Sequence, residues 1–127
     1  MSNTLTKIER LRGEHQITSL FTQGEAFMAH PLRVLYFVAE KDDSPVKIVV
    51  SVAKKRFKLA VKRNLLKRRI REAYRLNNNV LHEALREKNF CLFIGFMYVG
   101  NDISEYAAID KKMKDALEKL ARIVAEK

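Results

Sequence analysis

Lys54 to Arg75 reads KKRFKLAVKRNLLKRRIREAYR, with eleven Lys or Arg and one acid, Glu72. The net charge of this segment, +10, equals that of the whole 127-residue chain, so bases and acids cancel elsewhere. Residues of this type do one kind of chemistry well. Arg forks and Lys ammonium groups pair with phosphate oxygens, and a concentrated positive field steers polyanions toward it. Placed on a helix at 100° per residue, Asn64, Lys67, Arg68, Arg71 and Arg75 share one face. Leu59, Leu66, Ile70 and Ala73 fall on the other. Lys54, Lys55, Arg56 and Lys58 carry the patch into the preceding loop, and Lys62 and Arg63 occupy the first turn.

A solvated helix face normally mixes signs, as Asp110, Lys111, Lys112, Lys114, Asp115, Glu118 and Lys119 do. The basic segment breaks that pattern. Lys62 and Arg63 stand where the helix dipole disfavours cations. The pairs Arg63–Lys67, Lys67–Arg71 and Arg71–Arg75 repel across one turn, at a combined cost of about 1 kcal/mol. Local rules broken together mark a functional surface, here one for a polyanion. An acidic membrane fits less well, because the apolar side of the helix is needed for the core. Charge alone leaves RNA and DNA both open. Helix-turn-helix spacing, zinc-ligand spacing and an RNP aromatic motif are absent from the sequence.

Other candidate chemistry is sparse. His15, His30 and His82 lack metal-ligand spacing. Asp42 and Asp43 read as turn residues, and Asp102 and Glu105 as caps of the last helix. Cys91, the only cysteine, lies inside FCLFIGFMYV and reads as a buried small hydrophobe. Four glycines form no phosphate loop. No residue is assigned a catalytic or a metal-binding role.

The elements that position the patch follow from apolar periodicity. A first helix ends near Thr18–Thr22, with Leu11, Ile17, Leu20 and Phe21 near helical spacing and Gly24 as its stop. Leu32–Glu40 and Val46–Val52 read as strands joined through the turn Asp42–Pro45, with a hairpin as the simplest pairing. A helix starts at Ala60 and breaks at Asn77–Asn79, and Val80–Glu87 reads as a short helix. Phe90–Val99 is the most buried strand. A last helix spans about Glu105–Ala125, capped by Asp102 or Ser104, with the stripe Ile109, Met113, Ala116, Leu117, Leu120 and Val124. The order αββα(α)βα predicts one α+β domain over residues 1–127, a small sheet packed by helices. No apolar run is long enough to span a bilayer. MSNTLTKIERLRGEH lacks the apolar region of a secretory signal, so the expected location is cytoplasmic.

The spacing within the basic segment resembles the signature of the bacterial ribonuclease P protein subunit family, K-K-x-x-x-x-A-V-x-R-N-x-x-K-R-x-x-R-E. Here it stands as Lys54, Lys55, Ala60, Val61, Arg63, Asn64, Lys67, Arg68, Arg71 and Glu72. The strand ending SVAKKR, and ERL followed by LFTQG near the N-terminus, also resemble the family. Leu65 stands where many members have Arg, Phe57 and Lys58 where many have Gly and Asn, and Ile17 where an aromatic is common.

The resemblance implies a ribosomal-protein-S5-domain-2-like fold with a left-handed βαβ crossover, against the usual right-handed preference. It implies a subunit of an endonuclease ribonucleoprotein that removes the 5′ leader of precursor tRNA. The partner RNA would carry the hydrolysis with bound Mg2+. Lys54, Lys55, Arg56, Lys58, Lys62, Arg63, Asn64, Lys67, Arg68 and Arg71 would face the catalytic RNA. Phe21 and Tyr36 would line a leader cleft between the sheet and the first helix, where stacking tolerates any base. No membrane and no obligate protein partner is implied. A general RNA-binding protein, motivated by charge alone, would leave leader cleavage unchanged. A protein-only nuclease would cleave unaided and depend on an acidic residue.

Overall fold

FCLFIGFMY is apolar at nearly every position, and a strand of that kind must be covered on both faces and flanked on both edges. The computed structural model, which describes residues 14–127, places it at the centre of a four-stranded sheet. The elements are α1 (Glu14–Gln23), β1 (Glu25–Ala29), β2 (Leu32–Glu40), β3 (Val46–Val52), α2 (Ala60–Asn77), α3 (Asn79–Leu85), β4 (Phe90–Tyr98) and α4 (Tyr106–Ala125). Leu11 and the ERL tripeptide lie outside the described residues.

The strand order is β1-β2-β4-β3. β1 and β2 form an antiparallel hairpin across the cis His30–Pro31 bond. β2 pairs antiparallel with β4, and β3 pairs parallel with it. The expected hairpin of Leu32–Glu40 with Val46–Val52 is therefore not formed, because β4 lies between them. β1, absent from the sequence reading, is a short half-exposed edge strand.

The parallel pairing fixes where the functional loops emerge. Val52 lies opposite Tyr98, so the loops after β3 and β4 leave the sheet at the same end. The β3–α2–α3–β4 connection is the parallel crossover, and α2 begins at that same end.

The two faces of the sheet are covered unequally. One face carries Leu32, Val34, Ile48, Val50, Ile94, Phe96 and Tyr98 against Leu66, Ile70, Ala73 and Tyr74 of α2, Leu81 and Leu85 of α3, and the stripe of α4. The opposite face is covered by α1. Leu20 is buried there with Leu35, Cys91 and Phe93, while Ile17, Phe37, Ala39, Val49 and Met97 are partly buried around them. A Cβ on Gly95 would come within 3.1 Å of Leu20, so this glycine lets α1 lie close on β4. Burial pushes the Cys91 thiol up to about 11, in keeping with a core residue.

The last helix starts with Glu105 at its N-cap, which makes no side-chain capping bond. Neither Asp102 nor Ser104 caps it: both precede the N-cap residue, and the Ser104 hydroxyl is engaged by Tyr98. The Tyr98 hydroxyl donates to the Asp102 carbonyl at 2.5 Å. With its single proton committed there, it accepts from the Ser104 N–H at 2.9 Å and from the Ser104 hydroxyl at 2.8 Å. No helix among the described residues is long and apolar enough to cross a membrane.

Candidate nucleic-acid interface

The basic loop is built around one apolar side chain. Phe57 is buried and sets its ring edge-on against Tyr98, with centroids 5.8 Å apart. The Ala53 carbonyl accepts the N–H groups of Arg56 (3.1 Å) and Phe57 (3.3 Å) and closes the turn. With Phe57 turned inward, Lys54, Lys55, Arg56 and Lys58 are left in solvent. Phe57 is thus a packed anchor for the loop.

Arg63 holds the other side of the loop. One guanidinium nitrogen donates to the Phe57 carbonyl (2.7 Å) and the Lys58 carbonyl (2.8 Å). Arg56 reaches across to Asn101 of the β4–α4 loop at 2.9 Å. Arg69 donates to the Ser104 carbonyl at 2.6 Å and ties α2 to that same loop. The basic loop and α2 are therefore joined to the end of β4 and the loop after it by Phe57–Tyr98, Arg56–Asn101 and Arg69–Ser104. Sequence reasoning missed Tyr98, Asn101 and Arg69. Their partners are 35 to 45 residues away in the chain, and no local pattern marks such contacts.

On α2 the core stripe is Leu66, Ile70, Ala73 and Tyr74. Asn64, Arg68 and Arg71 are exposed on the outer side and Lys67 is half-buried on its flank. Lys62 is exposed in the first turn, where no acid sits and the N-cap residue, Leu59, makes no side-chain bond. The positive end of the helix dipole thus adds to the cations. Leu59, expected on the core side, is 58% exposed instead, because it is the N-cap residue with extended backbone and does not continue the helical stripe. Arg75 pairs with Glu72, which holds the Glu72 carboxyl below the usual range.

The ten residues expected to face RNA are thus brought onto one loop and one helix. Lys54, Lys55, Lys58, Lys62 and Arg68 are exposed and have no ion-pair partner among the described residues. Arg56 and Arg63 are held by hydrogen bonds that shape the surface. A depression on the outer side of α2 is lined by Val61, Lys62, Asn64, Leu65 and Arg68.

Phe21 and Tyr36 are not brought together. Phe21 lies on α1 and is 43% exposed. Tyr36 lies on the opposite face of the sheet, packed on Phe27 with centroids 6.1 Å apart, near the α4 side. Alternation along β2 sends Leu35 and Phe37, not Tyr36, toward α1. On the α1 side of the sheet, Ile17, Phe37, Val49 and Met97 are partly buried against Leu20, Leu35, Cys91 and Phe93, and Phe21 is exposed on α1 itself. Among the described residues no three His, Cys, Asp or Glu side chains converge as a metal site.

Comparison with known proteins bears on the family and the fold. The profile of the family described as Ribonuclease P matches residues 5–121. The ribonuclease P protein component of Porphyromonas gingivalis is 40% identical over 118 residues, 92% of this chain and 86% of the relative. That of Chlorobaculum tepidum is 36% identical over 88 residues, 66% of this chain and 57% of the relative. Two structures of the RNase P protein of Staphylococcus aureus share the fold, with TM-scores of 0.55 and 0.57 at 18% and 20% identity. They cover 91% and 96% of this chain, and 94% and 93% of their own chains. By the match over most of its length and the identity to curated relatives, the chain belongs to the ribonuclease P protein family.

Proposed function

We propose that this chain binds the catalytic RNA of ribonuclease P through its basic loop and the outer side of α2, and holds the 5′ leader of precursor tRNA on the α1 side of the sheet. The observation that carries the first half is the separation of surfaces. The core stripe of α2 is satisfied by the sheet and α4, while Asn64, Arg68 and Arg71 on α2 and Lys54, Lys55 and Lys58 before it face outward. Cations of this density, held on a packed loop, suit the closely spaced phosphates of a folded RNA. For the leader, the partly buried apolar residues Phe37, Val49 and Met97 on the α1 side of the sheet, and the exposed ring of Phe21 on α1, suit unstacked bases of any sequence.

The hydrolysis belongs, in this reading, to the RNA and to Mg2+ that the RNA binds. The described residues of the protein offer no converging ligand set for such an ion, and no step is assigned to one. What the protein supplies is positive field and surface. It offsets phosphate repulsion between RNA and substrate and raises affinity for the leader-bearing precursor over mature tRNA.

Reconstitution tests this. A bacterial RNase P RNA transcript and precursor tRNA are combined at low Mg2+, with and without the full chain. The chain should raise the rate of leader removal or the affinity for precursor. No effect on either, with RNA binding intact, would leave only a general RNA-binding protein. Cleavage by the chain alone would assign the chemistry to the protein.

A further inference from the structure

On α4 every fully exposed side chain is charged, Ala or polar, and no large apolar residue is among them. On α2, within the most basic part of the molecule, Val61 is 72% exposed and Leu65 is half-buried beside it. Four residues apart, they sit on one side of the helix, away from Leu66, Ile70, Ala73 and Tyr74. The core does not need them, and binding phosphate does not use them. They floor the depression whose rim is Lys62, Asn64 and Arg68. The Asn64 amide is exposed and makes no hydrogen bond among the described residues. It offers a donor and an acceptor together, as a base edge does.

We infer that this depression takes one unstacked nucleotide of the structured RNA partner, with the base against Val61 and Leu65, its edge at the Asn64 amide and its phosphate between Lys62 and Arg68. The inference rests on the RNA-binding reading and adds to it. The basic helix then distinguishes a bulged RNA from a continuous duplex, which phosphate pairing alone does not do. The rim cations favour a nucleotide over an uncharged apolar partner.

The probes are two labelled RNA hairpins of equal length, one fully paired and one with a single-nucleotide bulge. The full chain should bind the bulged hairpin roughly three- to tenfold more tightly, as expected for covering the Val61 and Leu65 side chains. Val61→Ser with Leu65→Gln should abolish that preference and leave the slope of log affinity against log salt unchanged. If the double variant is misfolded by circular dichroism, Val61→Ser alone, at a largely exposed position, must still reduce the preference. Lys54→Gln with Lys55→Gln should do the reverse, flattening the slope and keeping the preference. Equal binding of both hairpins by the unaltered chain, or a preference that survives loss of the apolar pair, overturns the inference. A self-association that Val61→Ser abolishes would give the patch to a second copy and also overturn it. A salt slope insensitive to Lys54 and Lys55 would instead count against the RNA-binding reading of the basic loop.

Discussion

Replacing Arg63 should loosen the basic loop more than it weakens phosphate contact. Its guanidinium donates to two backbone carbonyls, those of Phe57 and Lys58, at 2.7 and 2.8 Å. Hydrogen bonds from a charged donor contribute about 1.5–3 kcal/mol, and a half-exposed site takes the low end. The loss of about 1.5 kcal/mol corresponds to roughly tenfold more frequent opening of the loop. The amides of Arg56 and Phe57, both bonded to the Ala53 carbonyl, report that opening through hydrogen exchange. They should exchange about tenfold faster in Arg63→Ala. Arg63→Lys keeps the charge and loses the planar fork, so exchange should still quicken while the salt slope of RNA binding stays as it was. Unchanged exchange in Arg63→Ala, together with a flatter slope, would refute the clamp and make Arg63 a phosphate ligand.

Three further outcomes follow from the same geometry. Tyr98→Phe removes the acceptor of the Ser104 N–H and the donor to the Asp102 carbonyl, and should lower unfolding free energy in urea by about 1–3 kcal/mol. The Lys47 ammonium holds the Asp42 carboxyl down to about 2, from an ordinary 3.8. A depressed carboxylate stabilises the fold above its unfolded value and loses that contribution as pH falls through the native one. Stability should therefore decline as pH drops from 3.8 toward 2, and Asp42→Asn should show less of that decline in acid titrations followed by circular dichroism. Phe21→Ala and Phe37→Ala should reduce discrimination between precursor and mature tRNA, whereas Tyr36→Ala, on the other face, should leave it intact. Loss of discrimination in Tyr36→Ala would move the leader to the α4 side of the sheet.

Much of the fold was legible because it rests on local periodicity. The stripe of Leu66, Ile70, Ala73 and Tyr74, and that of α4, are buried as their spacing requires. The helix break at Asn77–Asn79 is the α2–α3 junction. Strand pairing was less legible. Val46–Val52 lies beside β4, not beside β2, and only the two-sided burial of β4 explains why. β1 reads EAFMA, too short and too exposed to give an alternating signal. The candidate interface was legible as a charge pattern and as a spaced motif. The roles within it were not, since the Arg63 clamp and the Phe57 anchor depend on where the loop turns. Tyr36 shows the limit of assigning faces from sequence. Both faces of this sheet are covered, so alternation separates Tyr36 from Phe37 without telling which one meets α1.

The central claim is that outward cations on the basic loop and α2 bind the phosphates of ribonuclease P RNA. Its most direct test is the affinity for that RNA as a function of salt, for the full chain and for a variant carrying Lys54→Gln, Lys55→Gln, Lys62→Gln and Arg68→Gln. Each phosphate contact contributes about 0.9 to the slope of log affinity against log salt, so four lost contacts should flatten it by roughly three to four. A weaker variant with a flatter slope is the predicted result. A slope unchanged from that of the unaltered chain would place the RNA elsewhere on the molecule.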